Sequence, residues 1–365
     1  MKITRIDLGT LRVPLRTPFK TAVRTVGAVE AVLVTVHTDT GHTGYGEAPA
    51  TAAITGETCA TIVAAISGVI GPRLLGGDID GFNDLLQRVH TALAHNTSAK
   101  AAVEIALYDL FAQRHGAPLY RILGGGTPTL STDITISVDA VDTMVADALS
   151  ALDRGYAALK IKIGLDPATD LARVRAVHAA VDGRARLRLD ANQGWTPKQA
   201  VHAMHRLEAE GILPELLEQP VKADDLAGLK FVTERVATPV MVDESVFGPR
   251  ALIELIRLRA ADIVNIKLMK SGGLSNAIKL ADIAGLHGMP CMIGCMLESS
   301  ISVAAAAHLA VARSDVITFV DLDGPALCAE NPAEGGARFD GPHIALGDAP
   351  GLGIVSVAGV EPVRL

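Results

Sequence analysis

The sequence predicts an α/β protein in which a TIM-type (β/α) barrel follows an N-terminal α+β domain. Two observations support this prediction: short apolar runs recur at regular intervals beyond residue 158, and segments of helical period lie between them. Strand, helix and strand at a fixed period is the pattern of a parallel barrel. Each run ends in a residue that apolar strands rarely carry, and the runs are 187–190, 215–218, 240–243, 263–267, 291–294 and 318–321.

The run 158–163 alternates two lysines with aliphatic residues. Because side chains on a strand alternate between its faces, Lys160 and Lys162 lie on one face. Taken by itself, this run is most simply interpreted as an exposed strand with a solvated basic face. The polar ends of the later strands favour another interpretation, since the active site of a parallel barrel lies at the C-terminal ends of its strands.

The first part of the chain has a different pattern. Alternation up to about residue 48 predicts an antiparallel sheet, with paired strands 28–37 and 42–46 around the turn 38–41 and a loop over 18–25. Helical periodicity follows, and a glycine cluster at 124–126 marks the junction of two domains. We expect an N-terminal domain over 1–125 and a barrel over 126–329, with the tail from about 330 to 365 returning to the N-terminal sheet.

Composition excludes several classes of function. The 365 residues carry a formal net charge of −7 with 3% aromatic residues, and no basic stripe is present to neutralise phosphates, so a nucleic-acid partner is not expected. The N-terminus lacks the apolar region of a signal peptide, and no apolar run could span a bilayer. The four scattered cysteines favour reduced thiols and a cytoplasmic location.

Three carboxylates, Asp190, Glu218 and Asp243, end successive predicted strands. A barrel places these side chains next to one another, where they cannot all stay ionised unless a cation offsets their repulsion. Ligation by oxygen alone indicates Mg²⁺, or Mn²⁺ in its place, with one ion per subunit. The alternative is that each acid only caps the helix that follows it.

Two lysines flank this triad: Lys162 on the strand before it and Lys267 on the strand after it. In a closed barrel they lie on opposite sides of the mouth, so a substrate between them has one amine on each face. Cationic neighbours and a divalent metal lower a lysine pKa toward the ~7–8 that suits a general base. This arrangement suits removal of a proton next to a carboxylate, with Lys160 and the metal stabilising the enolate. Return of a proton from the opposite lysine inverts the configuration at that carbon.

The motifs together resemble those of the enolase superfamily, muconate-lactonizing subgroup. They are Lys160-x-Lys162, Asp190-Ala191-Asn192-Gln193, Glu218-Gln219-Pro220, Asp243-Glu244-Ser245 and Lys267-x-x-Lys270-Ser271-Gly272-Gly273. The resemblance covers essentially the whole chain and implies a modified (β/α)7β TIM-type barrel with the N-terminal α+β domain as its cap. It also implies that the three acids bind Mg²⁺ and that Lys162 and Lys267 are the paired acid and base.

The subgroup hosts several reactions, so its fold alone does not identify the substrate. Asp321 and Asp323 end the eighth predicted strand, where alternation turns both toward the mouth to bind a cationic group. They resemble the Asp-x-Asp motif of the dipeptide epimerases, which holds the free α-ammonium of a dipeptide. A turn with two solvated acids is the alternative.

The segments 19–25 and 54–56 resemble the capping loops of those family members that act on Ala-Glu dipeptides. This resemblance implies that Arg24 pairs with the glutamate side chain, as suits a guanidinium fork. An arginine that is merely solvated is the alternative. Thr135 is implied to help hold the substrate, and Met296 and Glu298 are expected to line the same pocket.

We therefore predict a Mg²⁺-dependent isomerase, a dipeptide epimerase acting on L-Ala-L/D-Glu or a similar small dipeptide, as in the recycling of cell-wall peptides. Other enzymes of the subgroup remain open: a cycloisomerase, an o-succinylbenzoate synthase or an N-acylamino acid racemase. A non-catalytic barrel that serves as a scaffold is the alternative from a different class. We expect a homo-oligomer, with neither nucleic acid nor membrane as a partner.

Overall fold

A computed structural model describes residues 1–22 and 24–364 of the chain. Val23, which belongs to the predicted capping loop, and Leu365 lie outside the described residues. Within the described part of the chain, no helix is long and apolar enough to cross a membrane.

The chain begins with an antiparallel sheet, followed by helices. The strands are β1 (Ile3–Lys20), β2 (Thr25–Thr38) and β3 (Thr43–Pro49). The helices are α1 (Cys59–Ala65), α2 (Phe82–His90), α3 (Thr97–Arg114) and α4 (Leu119–Ile122), with a π-helical turn at Ile66–Ile70 and 3-10 turns at Gly71–Arg73 and Ile79–Gly81. The predicted hairpin is confirmed, since β2 and β3 pair antiparallel on either side of the turn.

The loop expected at 18–25 is shorter than predicted, because β1 continues to Lys20 and pairs it with Thr25 of β2. The β1–β2 register shifts between Pro14 and Phe19. Proline has no N–H to donate to a neighbouring strand, so the two prolines at 14 and 18 disturb the alternation without ending the strand. That disturbance is what made the segment resemble a loop.

Eight parallel strands form the barrel sheet, in the order β5 to β12 along the chain. After β4 (Thr129–Ser131) they are β5 (Ile134–Ile136), β6 (Ala158–Lys162), β7 (Arg186–Asp190), β8 (Leu216–Glu218), β9 (Val240–Val242), β10 (Ile263–Lys267), β11 (Cys291–Gly294) and β12 (Ile317–Asp321). Parallel strands covered by helices are buried on both faces, which explains their apolar sequences.

Helices connect these strands in turn, which gives seven βα units and a final strand, as predicted. They are α5 (Val141–Asp153), α6 (Pro167–Val181), α7 (Pro197–Ala209), α8 (Leu226–Thr233), α9 (Pro249–Leu258), α10 (Leu268–Ser271), α11 (Leu274–Leu286) and α12 (Ser300–Ala312), with α13 (Gly324–Leu327) after the last strand. Three of them begin at a proline, whose fixed φ suits the first helical position. At α7, Thr196 and Gln199 form a capping box.

The C-terminal segment crosses back to the first domain. Its strands are β13 (Ala333–Gly335), β14 (Arg338–Asp340), β15 (His343–Ala345), β16 (Ile354–Val357) and β17 (Val360–Pro362). Strand β17 pairs antiparallel with β1, and β15 pairs with β4. The division at residues 125 and 329 stays a prediction.

Helix α3 and strand β3 fix the cap over the barrel. The backbone of Gly46 lies so close to α3 that a Cβ would sit 1.9 Å from the Ala102 oxygen, so only glycine fits there. The buried Glu47 accepts hydrogen bonds from the Ser299 and Ser302 backbone N–H groups, at 3.0 and 3.2 Å. A cap strand is thereby tied to the start of the barrel helix α12.

Candidate active site

A cavity lies between the cap and the C-terminal ends of the barrel strands. From the cap it is lined by Phe19, Thr21, Arg24 and Ile54. From the barrel, the predicted residues that line it are Thr135, Lys160, Lys162, Asp243, Lys267, Met296, Asp321 and Asp323. Residues predicted from segments far apart in the sequence therefore meet in one cavity.

The strand register explains why the acids lie together. Asp190 is the register partner of both Lys162 on β6 and Glu218 on β8. Asp243 follows β9, the next strand of the barrel. The three carboxylate residues are almost wholly buried, with exposed fractions of 0%, 0% and 2% for Asp190, Glu218 and Asp243.

Each of the two predicted catalytic lysines contacts one of these acids. Lys162 Nζ lies 2.5 Å from Asp190 Oδ2, and Lys267 Nζ lies 2.8 Å from Asp243 Oδ2. Burial by itself would lower the pKa of Lys267, but the charges of Asp243, Glu218 and Asp321 together outweigh it and raise that pKa. The protein groups alone thus hold Lys267 protonated, in contrast to the lowered pKa expected from cationic neighbours and a metal.

Lys160 lies deeper, at the centre of the acids. Its Nζ is 2.6 Å from Glu218 Oε2, 2.7 Å from Asp321 Oδ2 and 3.3 Å from Asp190 Oδ2. Burial would lower the pKa of Lys160, but the charges of Asp321 and Glu218 outweigh it and hold the pKa well above its usual value. The protein groups alone therefore favour a positively charged Lys160 at the base of the cavity.

Sequence analysis assigned no role to two residues that support the acids, although Lys270 belongs to a motif that it named. Asn265 Nδ2 donates to Glu218 Oε1 at 2.7 Å, and Lys270 Nζ lies 2.5 Å from Asp243 Oδ1. A signal for Asn265 was present, because alternation on β10 places it on the same face as Lys267. Lys270 lies beyond the strand in α10, where alternation carries no information.

The set of donors fits a hard cation. The three acids supply only oxygen atoms, from buried side chains at neighbouring strand ends, which are the ligands that Mg²⁺ takes. Burial and the charge of Asp190 raise the pKa of Glu218 to about 7, a sign that the negative charge is concentrated here. In this structure the three acids pair with lysine ammonium groups. Their oxygen atoms are therefore not gathered around one point, and among residues 1–22 and 24–364 no three His, Cys, Asp or Glu residues surround a common cation position.

Asp321 and Asp323 lie across the mouth from the acids. Asp323 Oδ2 accepts a hydrogen bond from the Thr135 backbone N–H at 2.7 Å, which joins the eighth barrel strand to the first. Burial would raise the pKa of Asp321, but Lys160 and Lys267 outweigh it and hold the pKa below its usual range. An ionised carboxylate therefore faces the cavity and can bind a cation.

Arg24 reaches the cavity from the cap. Burial lowers the pKa of its guanidinium group, and no neighbouring charge contributes to that change. Among the ion pairs formed by described residues, none involves Arg24. A partly buried guanidinium without a protein carboxylate is suited to an acidic ligand.

Glu298 differs from the expectation that it lines the pocket. It is 2% exposed, and its Oε1 accepts a hydrogen bond from the Met296 backbone N–H at 2.6 Å. Its carboxylate therefore turns back on its own loop and fixes the segment that presents Met296 to the cavity. The sequence could not give this direction, since a residue two positions away is within reach only when the loop folds back.

Comparison with known proteins identifies the family. Residues 5–124 match the family model "Mandelate racemase / muconate lactonizing enzyme, N-terminal domain", and residues 143–357 match the model "Enolase C-terminal domain-like". The chain belongs to the mandelate racemase / muconate lactonizing enzyme family of the enolase superfamily.

Two similar proteins are epimerases. The L-Ala-D/L-Glu epimerase of Clostridium acetobutylicum is 50% identical over 98% of this chain and 99% of its own length. The hydrophobic dipeptide epimerase of Enterococcus faecalis is 41% identical over 97% of this chain and 99% of its own length. This chain is accordingly an isomerase of the racemase and epimerase type.

Solved structures of dipeptide epimerases have the same fold as this chain. A substrate-liganded complex of the L-Ala-D/L-Glu epimerase from Bacillus subtilis has a TM-score of 0.96 and 47% identity, covering 98% of this chain and 100% of its own. The Enterococcus faecalis dipeptide epimerase with Mg and L-Leu-L-Tyr has a TM-score of 0.94 and 40% identity, covering 98% and 100%.

Proposed function

We propose that the protein is a Mg²⁺-dependent dipeptide epimerase that inverts the α-carbon of the C-terminal residue of L-Ala-Xaa dipeptides, with Ala-Glu as its preferred substrate. The observation that carries this proposal is that Lys162, Lys267 and the Asp321 and Asp323 pair line one cavity. Two amines and a site for a cationic group are what epimerisation of a free dipeptide requires.

The two lysines exchange the proton. Lys162, when neutral, accepts the α-proton from one face, and the electron pair of the broken C–H bond delocalises into the terminal carboxylate. Lys267, held protonated beside Asp243, delivers a proton to the opposite face of the same carbon. The reverse reaction exchanges these roles, so each lysine acts as base for one epimer.

Lys160 stabilises the negative charge that develops on the substrate, and a bound metal would add to this stabilisation. Asp190, Glu218 and Asp243 would hold one Mg²⁺, with Mn²⁺ as a substitute, which supplies positive charge to the substrate carboxylate when bound. Lys160, with an exposed fraction of 2%, adds a second positive charge that stays in place throughout. A charge fixed in advance stabilises a transition state without reorganisation.

The remaining groups select the substrate. Asp321 and Asp323 would bind the α-ammonium of the first residue, with Thr135 holding Asp323 in place through its backbone N–H. Arg24 would pair with the side-chain carboxylate of the second residue. The names of the Clostridium acetobutylicum and Bacillus subtilis relatives, both L-Ala-D/L-Glu epimerases, support an acidic second residue.

The cellular setting is also part of the proposal. We place the protein in the cytoplasm as a homo-oligomer that acts in cell-wall peptide metabolism. Among the described residues the cysteines are all free, as expected in a reducing compartment.

Proton exchange tests the proposal. The purified protein with Mg²⁺ in D₂O is given a pooled library of L-Ala-L-Xaa dipeptides, and mass spectrometry looks for a gain of one deuterium. Exchange concentrated on L-Ala-L-Glu supports both the epimerase and the role of Arg24. Exchange on apolar or basic dipeptides keeps the mechanism and rejects that role, and exchange on no member rejects the dipeptide substrate.

A further inference from the structure

The barrel has a seam between its first strand, β5, and its last strand, β12. These are the two ends of the eight-stranded order, and no strand ladder joins them within the described part of the chain. A backbone hydrogen bond crosses the seam, from Asp133 N–H to the Val320 oxygen, and it is long at 3.3 Å. The residues proposed to bind the α-ammonium, Asp321 and Asp323, lie directly on this seam.

Side chains provide most of the contacts that close the seam. The Leu322 backbone N–H donates to Thr132 Oγ1 at 2.8 Å, and the Thr135 backbone N–H donates to Asp323 Oδ2 at 2.7 Å. Each contact joins the first-strand side of the seam to the last-strand side.

Arg188 supplies the interior contact. It lies on β7, two residues before Asp190 and therefore on the same face, and its side chain extends past β6 to the seam. Arg188 Nη1 donates to Asp133 Oδ2 at 2.7 Å and to the Val320 oxygen at 3.1 Å, so it binds both edges of the seam at once.

Further contacts fix the position of the Arg188 guanidinium group. Its Nε donates to Glu215 Oε2 at 2.6 Å, and its guanidinium carbon lies 5.3 Å from the centroid of the Phe319 ring. The Arg188 side chain is 5% exposed. A planar fork with donors in fixed directions can make these contacts together, whereas a lysine has one ammonium group to divide among them.

We propose that Arg188 is a positioning residue that sets the spacing of Asp321 and Asp323 by holding Val320 and Asp133 across the barrel seam. It touches no substrate and acts through the two aspartates. The effect on substrate binding rests on the proposed dipeptide function. The effect on the seam can be measured without a substrate.

The test uses Arg188→Met with Arg175→Met as its control. Arg175 is also an arginine paired with a carboxylate, Glu210 at 2.6 Å, but it lies on α6, where its Nε and Nη2 donate to Glu210 and not to either strand of the seam. Since Arg188→Met leaves Asp133 buried without its partner, the double variant Asp133→Asn/Arg188→Met is tested beside it and removes both charges.

Steady-state kinetics with L-Ala-L-Glu give the first readout. We expect both Arg188 variants to raise KM about tenfold or more while kcat and the Mg²⁺ dependence change less than about threefold, because Arg188 contacts neither the lysines nor the metal-binding acids. Arg188→Lys should recover part of the loss. An unchanged KM in a folded variant, or a fall in kcat without a rise in KM, overturns the inference.

Hydrogen exchange of the backbone amides separates this inference from the proposed function. Exchange measured by mass spectrometry should become faster in peptides 129–138 and 317–324 of the Arg188 variants and stay unchanged there in Arg175→Met. If the wild-type protein turns over no dipeptide while the seam loosens as expected, the proposed function fails and the positioning of the aspartates stands. If the seam amides exchange as in wild type, the positioning role fails.

Discussion

Lys160 Nζ and Asp321 Oδ2 lie 2.7 Å apart, so a charge from the second barrel strand is paired with a carboxylate from the eighth. The first barrel strand lies between these two strands, so the contact links the acids and lysines of the early strands to the Asp321 and Asp323 pair beyond the seam. Lys160 holds the pKa of Asp321 low, and Asp321 holds the pKa of Lys160 high. The group that would bind the substrate ammonium and the group that would stabilise its developing negative charge therefore depend on each other.

Removal of the Lys160 charge should slow the chemical step. In Lys160→Met, we expect kcat to fall by ~10²-fold or more, since a preorganised charge of this kind contributes on that scale. Steady-state epimerisation measures the change, with the exposed Lys222→Met as a control for the loss of a lysine elsewhere. A kcat within about threefold of wild type would exclude an electrostatic role for Lys160.

Neutral replacement of Asp321 and Asp323 should weaken binding of the free ammonium. Each charge-assisted hydrogen bond is worth about 1.5–3 kcal/mol, so Asp321→Asn/Asp323→Asn should raise KM for L-Ala-L-Glu by roughly 10²-fold or more. Asp315→Asn, at an exposed position, is the control. Undiminished epimerisation of L-Ala-L-Glu by the double variant would show that these two aspartates do not bind the substrate ammonium.

Arg24→Met should change which dipeptides are accepted. We expect kcat/KM for L-Ala-L-Glu to fall by about 10- to 10²-fold, because the side-chain carboxylate loses its ionic partner, while an apolar second residue is tolerated better. Competition between L-Ala-L-Glu and L-Ala-L-Leu measures the preference directly, with Arg12→Met on the exposed cap as control. The same preference in Arg24→Met and wild type would remove Arg24 from the specificity pocket.

His308 should make stability fall in mild acid. It is 2% exposed on α12, its Nδ1 accepts a hydrogen bond from the Tyr120 backbone N–H at 2.9 Å, and burial lowers its pKa to about 3. The unfolded chain takes up this proton near pH 6.5 and the folded chain does not, so the contribution to stability present above pH 6.5 is lost as pH falls toward 3. Between about pH 7 and pH 5 this amounts to about 2 kcal/mol.

The variant His308→Asn keeps an acceptor for Tyr120 and removes the titrating group. Chemical denaturation at about pH 7 and about pH 5 should show a smaller loss of unfolding free energy for this variant than for the wild-type protein. Groups elsewhere titrate equally in both proteins and cancel in the comparison. An equal loss in the two proteins would show that His308 does not carry this dependence.

Local periodicity was enough to predict the barrel and the position of the strand-end residues. Asp190, Glu218 and Lys267 each end a strand, so alternation within the strand and the βα repeat together place them at one edge. These patterns depend only on residues near one another in the sequence, so they can be recognised without knowing how the barrel closes.

Contacts that depend on closure could not be predicted. The pairing of Lys160 with Asp321 and the reach of Arg188 across the seam join strands far apart in the chain, and no spacing in the sequence encodes them. Glu298 turns its side chain back onto its own loop, and the periodicity of the sequence does not determine side-chain directions in loops. Strand β1 is longer than predicted because prolines interrupt alternation more than they interrupt the strand itself.

The two-base exchange at the α-carbon is the central claim, and one-sided proton exchange tests it most directly. Lys162→Ala and Lys267→Ala are each incubated with Mg²⁺ in D₂O and, separately, with L-Ala-L-Glu and L-Ala-D-Glu, and NMR follows the α-proton and the epimer formed. We expect epimerisation to fall by ~10²- to 10⁴-fold in both variants, while each still exchanges the α-proton of one epimer and not of the other. Full epimerisation by either variant, or exchange of both epimers by the same variant, would contradict the two-base mechanism.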